Sequence, residues 1–266
     1  MGTVSKMTDS SIENSDTWQN AGVLVVGGTS GLGEATAREF ARAGAIVTVA
    51  GRNSIAGERI AKSIEGHFCT VDVIVPESIQ AALELSATAP RGLRAVVNAA
   101  GSAVVEKTLH RGTPHKLDSF LSQIQINLVG SFNVLRLAAQ VMAENEPEEA
   151  LGRGVIVLTS SVAGFEAQRG QVAYAAAKGG INSMILPAAR DLARDKIRVF
   201  GVAPGVFDTP FMDVLSEDAR NAVGNSVPHP SRLGKATEFS HLVVSLATNP
   251  MVNGEVVRLD GALRLG

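Results

Sequence analysis

Short aliphatic runs recur along the chain, and stretches with helical periodicity separate them. Val23–Val26, Ile46–Val49, Arg94–Val97, Val155–Leu158, Arg198–Val202 and Val256–Leu259 are rich in β-branched residues and apolar without alternation. Strands buried on both faces of a parallel sheet have that pattern, because neither face meets water. Phe68–Val71 is a weaker seventh run. Between the runs, Gly33–Ala43 ends at Gly44, Ser54–Glu65 ends at Gly66, and Glu77–Thr88 follows Pro76. Proline just before and glycine just after are start and stop signals for helices. Lys116–Asn145 and Gln171–Arg194 predict two long helices. Pro187, inside the second, should kink it or remove one hydrogen bond. Thr237–Thr248 is the last helix. Alternation of strand and helix predicts right-handed crossovers and an α/β fold.

No low-complexity linker or fixed-period repeat divides the chain after residue 21, which predicts one domain over 21–266. Residues 1–20 are polar and rich in Ser, Asp and Asn, the composition of a disordered tail. They lack the basic start and apolar stretch of a secretory signal. Lys6 stands where myristoylation of a Met1-Gly2 start wants Ser or Thr. No run of 18 apolar residues exists, so no membrane-spanning helix is expected. Lys plus Arg is 24 and Asp plus Glu is 26. That balance gives no electrostatic reason to expect nucleic acid or an anionic membrane as partner. The one cysteine, Cys69, excludes an intramolecular disulfide and a Cys-rich zinc site. It suits a reducing cytoplasm and reads as a core residue. His67, His110, His115, His229 and His241 are scattered without ligand spacing, so no metal site is predicted. Trp18, in the tail, can dock on the domain. Aromatic residues are 4% of the chain, and one of them is the single tyrosine, Tyr174.

The first strand runs into Val26-Gly27-Gly28-Thr29-Ser30-Gly31-Leu32-Gly33 and then a helix. Glycines at 27, 31 and 33 give the turn conformational freedom and let the backbone approach a pyrophosphate. The phosphates then meet free N–H groups and the positive end of the helix dipole. With the strand–helix alternation this predicts a Rossmann-type doubly wound parallel sheet of about seven strands, with helices on both faces. Dinucleotide folds that take NAD usually carry Asp or Glu at the tip of the second strand. Here that position is Gly51, followed by Arg52, and no carboxylate follows until Glu58. Arginine pairs with a 2′-phosphate in a forked geometry, so the local chemistry leans to NADP(H). The alternative is an Arg52 that stacks on adenine or stays solvated. Asp72 and Val73, after the third strand, are placed to hold the adenine edge.

The run Val155–Leu158 leads into Thr159-Ser160-Ser161. Tyr174 lies thirteen residues after Ser161, and Lys178 four after that. Tyr174 and Lys178, at i and i+4, share one helix face. A phenol titrates near pH ~10, too high for acid–base work at neutral pH. Reaching ~7 takes about 3 units, or roughly 4 kcal/mol, which the Lys178 ammonium and a cofactor cation can supply together. Ser161 would polarise a substrate carbonyl, and Asn127 could hold a water that relays the proton. A non-catalytic dinucleotide-binding regulator would use the glycine loop but has no need of Ser, Tyr and Lys in register. Around Ser161 there is no nucleophile elbow, and no Walker-type loop is present.

Gly27-x-x-x-Gly31-x-Gly33, Asn98-Ala99-Ala100-Gly101, Asn127, Ser161, Tyr174-x-x-x-Lys178 and Pro204-Gly205 resemble, in order and spacing, the short-chain dehydrogenase/reductase family. The resemblance runs from about residue 22 to the end. It implies a Ser–Tyr–Lys site with a supporting Asn, a nicotinamide cofactor (NAD or NADP) and a homotetramer built on the two long helices. Further stretches resemble the 3-hydroxyacyl-CoA dehydrogenases within that family. They include Phe132–Leu137, Asn145–Pro147, Arg153–Ile156, Pro230–Gly234 and Asn253–Ala262. That subgroup implies NAD(H)-linked interconversion of 3-hydroxyacyl-CoA and 3-oxoacyl-CoA, with tolerance for other secondary alcohols such as steroids. The alternative is an NADP-dependent 3-oxoacyl or general ketone reductase. Carried over residue by residue, Ser30 and Leu32 belong to the cofactor loop, Asp72 and Val73 to the adenine contacts, and Ala99 lies under a ribose. Phe207 and Thr209 belong to the loop over the nicotinamide amide. Gln168 and Gln171 line the substrate side, and a lid is expected near 206–232. Three positions depart from the pattern. Val26 replaces a usual Thr, Gly51-Arg52 replaces the acidic NAD-selecting residue, and the loop after Gly101 is slightly shorter. Asp208, Asp213 and Glu217 border the lid and read as a solvated acidic face.

Overall fold

All seven aliphatic runs form strands, and the reason is visible in their surroundings. In the structure, a computed structural model that describes residues 17–213 and 215–265, they are β1 (Gly22–Val26), β2 (Ile46–Gly51), β3 (His67–Thr70), β4 (Leu93–Asn98), β5 (Gly154–Thr159), β6 (Ile197–Pro204) and β7 (Val256–Leu259). They pair in parallel in the order β7-β6-β5-β4-β1-β2-β3. The five inner strands are buried almost throughout, and the edge strands β3 and β7 are only partly covered. Alternate residues serve two separate cores. Leu24, Val96, Ile156 and Val199 face one side, where Val134, Ala138, Met142, Ile181 and Ile185 cover them. Val23, Val97, Val157 and Phe200 face the other, under Phe40, Ile60, Phe239 and Val243.

Six helices supply those covers: α1 (Gly31–Arg42), α2 (Ser54–Ser63), α3 (Pro76–Ala87), α4 (Leu117–Ala143), α5 (Val172–Asp191) and α7 (Ala236–Thr248); a further helix, α6 (Glu217–Asn225), lies outside both cores. α5 runs through Pro187 without ending, so the proline removes one helical donor rather than breaking the helix. α4 is long and apolar enough to cross a bilayer by length and composition, but its inner face belongs to the core. A π-helical turn, Ile124–Val129, interrupts α4. Such turns occur mostly at functional sites, and this one holds Asn127. The chain leaves β1 toward β2 and β3 and then returns to β4 on the opposite side. That reversal opens a crevice at the carboxyl ends of β1 and β4, where doubly wound sheets bind ligands.

Four features differ from the pattern expected of the sequence. Of the tail expected over residues 1–20, residues 1–16 lie outside the described residues, and Thr17–Asn20 form a turn docked on the domain. Trp18 is 1% exposed, packs edge-on to Phe40 at 4.8 Å, and donates from Nε1 to Thr248 Oγ1 at 3.0 Å. A buried indole with its N–H satisfied holds more firmly than a polar composition implies. The loop after Gly101 contains a small hairpin, Leu109–His110 with Thr113–Pro114, turning on Arg111 and Gly112, both at positive φ. Within the expected lid lies α6, capped by Ser216, whose hydroxyl accepts from the Ala219 N–H at 3.3 Å. Cys69 is only partly buried, since β3 is an edge strand.

Candidate active site

The glycine loop closes because two backbones touch. A Cβ on Gly33 would lie 2.1 Å from the Gly27 carbonyl oxygen, so only glycine lets α1 start this close to the end of β1. Gly27 itself has φ +78°, a conformation that other residues avoid. Ser30 takes the N-cap position with extended backbone, and the Glu34 N–H donates to its carbonyl, closing the first turn. The first amides of α1 are left open toward the crevice. Thr209 lies across from Gly31, its Cβ 3.2 Å from where a Cβ would stand. The segment after Pro204-Gly205 therefore reaches over the glycine loop.

At the adenosine end, Gly51 closes β2 against the Thr29 side chain, and Arg52 beyond it is exposed. Among the described residues no carboxylate pairs with Arg52. Asp72 and Val73 follow β3 at the same edge. Asp72 Oδ1 accepts from the Ile74 N–H at 3.2 Å, and Val73 packs against Gly130 of α4. The side chain of Asn98 is engaged internally: it donates to Ser131 Oγ at 3.0 Å and accepts from the Ala100 N–H at 3.2 Å. It therefore fixes the path of Ala99, Ala100 and Gly101 along the crevice floor. The ring of Phe207 is 7% exposed and sits edge-on to Phe239 in the second core, so only its backbone is free to face the crevice. This trough, with close backbone approach, open helix amides and a covering loop, fits an extended dinucleotide.

The reactive groups meet at the carboxyl ends of β4 and β5. Ser161 caps a short 3-10 turn, Val162–Gly164, and its Oγ accepts from the Ala163 N–H at 3.1 Å. Its hydroxyl also lies close enough to the Tyr174 phenol to favour the phenolate. Lys178 is 4% exposed, and its Nζ donates to the Thr159 carbonyl at 2.7 Å and stands 5.7 Å from the Tyr174 ring centroid. A Cβ on Gly101 would lie 2.9 Å from Asn127 Oδ1 and 3.6 Å from Lys178 Nζ. Ser161, Tyr174, Lys178 and Asn127 are thus brought together around Gly101.

The electrostatics run against one expectation. Burial pushes the Tyr174 phenol up, and the nearby Ser161 hydroxyl pulls it back only in part. The Lys178 ammonium is itself brought by burial to about 8, because desolvation disfavours the charged form. Asn127 is also more occupied than a water-holding role suggests. Its Nδ2 donates to Ser102 O at 2.9 Å and Gln123 O at 3.0 Å, and its Oδ1 accepts from the Ser102 N–H at 3.1 Å. Ser102, Gln123 and the Thr159 carbonyl are site residues that motif spacing did not single out. The i−4 spacing of Gln123 from Asn127 on a helix was the available signal.

On the substrate side, the segment after Gly101 meets the loop before α5: the Glu106 N–H donates to Gly170 O at 2.8 Å. Gln168 is exposed, while the Gln171 Oε1 accepts from the Gln168 N–H at 2.9 Å and shapes the loop. Phe165 and Glu166, just past Ser161, are fastened by Arg258. Its guanidinium lies 5.0 Å from the Phe165 ring and 3.0 Å from Glu166 Oε2. At the base of the segment expected to form a lid, Phe207–Asp208 pairs with Gly234–Lys235. Asp208 and Asp213 are exposed, as a solvated acidic face would be, and both pair with Arg220 of α6, the latter at 3.2 Å. Among the described residues no cluster of His, Cys, Asp and Glu could hold a metal ion.

The family model of short chain dehydrogenases matches residues 21–220. The chain is 45% identical over 251 residues to the 3-hydroxyacyl-CoA dehydrogenase type-2 of Drosophila melanogaster, covering 93% of this chain and 98% of that protein. It is 46% identical over 246 residues to the Rattus norvegicus protein of the same name, covering 91% and 94%. The crystal structure of 3-hydroxyacyl-CoA dehydrogenase type-2 from Mycobacterium avium superposes with a TM-score of 0.89 at 40% identity, covering 93% and 97%.

Lys178 gives this site a measurable cost. Its ordinary value of 10.5 applies to the unfolded chain and about 8 to the folded one. Between those values the unfolded chain binds more protons, so the Lys178 contribution to stability rises with pH across that window and is least favourable below it. Lys178→Met is therefore expected to raise stability near neutral pH by roughly 1–3 kcal/mol, with the lost bond to Thr159 offsetting part of the gain. The advantage should shrink as pH rises toward 10.5. Denaturant midpoints for both proteins across that range check it. A variant less stable at neutral pH, or a difference that ignores pH, would contradict this assignment.

Proposed function

The chain belongs to the short-chain dehydrogenase family and is an oxidoreductase, and we propose that it interconverts 3-hydroxyacyl-CoA and 3-oxoacyl-CoA with a nicotinamide dinucleotide. The observation that carries this reading is the Ser161–Tyr174–Lys178 cluster at the end of a dinucleotide-shaped trough. The substrate class is supported by likeness, along nearly the whole chain, to proteins named for that reaction. When bound, the cofactor supplies or accepts a hydride.

The chain's own residues do the rest. The backbone of Gly27 and Ser30–Gly33 would hold the pyrophosphate, and Asp72 and Val73 the adenine. Asn98, Ala99, Ala100 and Gly101 would underlie a ribose, and Pro204, Gly205, Phe207 and Thr209 the nicotinamide end. Ser161 orients and polarises the oxygen of the substrate alcohol or ketone. Tyr174 Oη takes the proton of the alcohol in oxidation and returns it to the carbonyl oxygen in reduction. Lys178 places a positive charge beside that exchange, and Asn127 fixes the loop at Ser102 that walls it. Gln168 and Gln171 border the substrate side.

Gly51-Arg52 supports accommodation of a 2′-phosphate, so we infer use of NADP(H). The subgroup resemblance instead implies NAD(H). For assembly we infer a homotetramer. An open apolar groove between α4 and α5, lined by Val129, Phe132, Met184 and Leu192, supports burial against a second copy. Molar mass in solution tests it, and a monomer at micromolar concentration would exclude it.

Tyr174→Phe is expected to cut turnover of acetoacetyl-CoA by roughly a hundredfold to ten-thousandfold while leaving cofactor affinity nearly intact. Retained turnover would remove Tyr174 from the chemistry. Comparing NADH with NADPH tests the cofactor reading. Arg52→Ala should lose any NADPH preference by about tenfold, and an unchanged ratio would mean Arg52 does not read the phosphate.

A further inference from the structure

Ser161 sits on a turn after β5, whereas Tyr174 and Lys178 sit on α5. Their mutual distances therefore depend on how the turn is fastened to the helix. One polar pair does this. The hydroxyl of Ser160, 1% exposed, donates to Asn182 Oδ1 at 2.5 Å and lies 3.2 Å from the Lys178 carbonyl oxygen. Asn182 Nδ2 donates to the Gly164 carbonyl at 3.3 Å. The partners fix the amide's orientation: the Gly164 carbonyl can only accept, so it must face Nδ2, which turns Oδ1 to the Ser160 hydroxyl.

Asn182 lies one helical turn beyond Lys178, on the same face of α5. A single side chain thus grips both ends of the segment Ser160–Gly164, with Ser161 between them. The fit has no slack. A Cβ on Gly164 would lie 2.7 Å from Asn182 Nδ2 and 2.9 Å from the Lys178 carbonyl oxygen. Burying a hydroxyl and an amide is costly unless both are bonded, and an apolar pair of similar volume would serve packing alone. What the polar pair adds is direction, since hydrogen bonds fix register where apolar contacts slide.

We propose that Ser160 and Asn182 form a clamp that holds Ser161 against Tyr174 while Lys178 reaches Thr159, which makes both of them positioning residues for proton transfer. The proposal rests on the oxidoreductase reading of the site, but its central measurement does not. Because Tyr174 is the only tyrosine, isotope-labelled tyrosine gives one resonance that reports ionisation of this phenol without any substrate.

Asn182→Leu removes both bonds of the clamp. Ser160→Ala, a smaller change, removes one and carries the test if the first variant does not fold. In each, displacement of Ser161 from the phenol should move the phenol resonance titration, and the pH–rate inflection for alcohol oxidation, measurably upward. kcat should fall roughly tenfold to a hundredfold for Asn182→Leu, with KM for the cofactor within about twofold of wild type. The double variant should be no worse than Asn182→Leu alone, because Ser160 acts through Asn182. An unmoved titration in both single variants, or effects that multiply in the double variant, would overturn the clamp. A titration that moves as expected in a protein with no activity on acyl-CoA or ketone would uphold the clamp and reject the functional reading.

Discussion

A lysine ammonium buried beneath the surface, with the Thr159 carbonyl as its bonded acceptor, is the constraint around which this structure is arranged. Such a charge is costly to bury, and burial alone lowers its affinity for the proton. The fold tolerates it because the carboxyl ends of β4 and β5 supply polar backbone where helices cannot follow. The same edge provides the Ser161 turn, the floor at Gly101 and the amides of α1. Two apolar cores on either side of the sheet hold that edge rigid, so the cost at one point is carried by packing everywhere else. Stability is given up at the site where chemistry needs charge, the trade expected of an active centre.

Close approach is the second organising fact. The loop between β1 and α1 works because glycine lets two backbones meet, and Asn127 and Lys178 flank Gly101 for the same reason. Polar side chains then fix what glycine makes possible. Asn98 ties β4 to α4 through Ser131, Asn127 ties the π-helical turn to Ser102, and Arg258 ties the segment beyond Ser161 to the last strand. The segment expected to form a lid is held at its base by a two-residue bridge and by Arg220.

Much of this was legible in the chain. The strands were readable because inner parallel strands are apolar on both faces, and the Ser161, Tyr174 and Lys178 cluster because i, i+4 spacing and a preceding strand end leave few other arrangements. What was not legible depended on tertiary packing. That Trp18 could dock was readable, but its partners Phe40 and Thr248, remote in sequence, were not. The hairpin at Arg111-Gly112 lacks the Asn-Gly or Asp-Gly signal of a tight turn. Helix α6, capped by Ser216, lies in the expected lid near 206–232, where no helix was predicted. Phe207 was expected in the loop over the nicotinamide amide; its ring packs into the core, which sequence order alone does not say. The Tyr174 phenol was expected to be lowered by Lys178 together with a cofactor cation, and in the chain alone burial raises it.

That rise sets the central claim: protein groups alone keep Tyr174 protonated, and the positive charge of an oxidised nicotinamide must complete the shift toward neutrality. The direct measurement is ionisation of the single tyrosine with and without the oxidised cofactor. The account predicts a phenol that titrates above its ordinary value of 10.0 in the free protein and falls by about 2 to 3 units when the oxidised cofactor binds. A titration that cofactor binding leaves unchanged would contradict it.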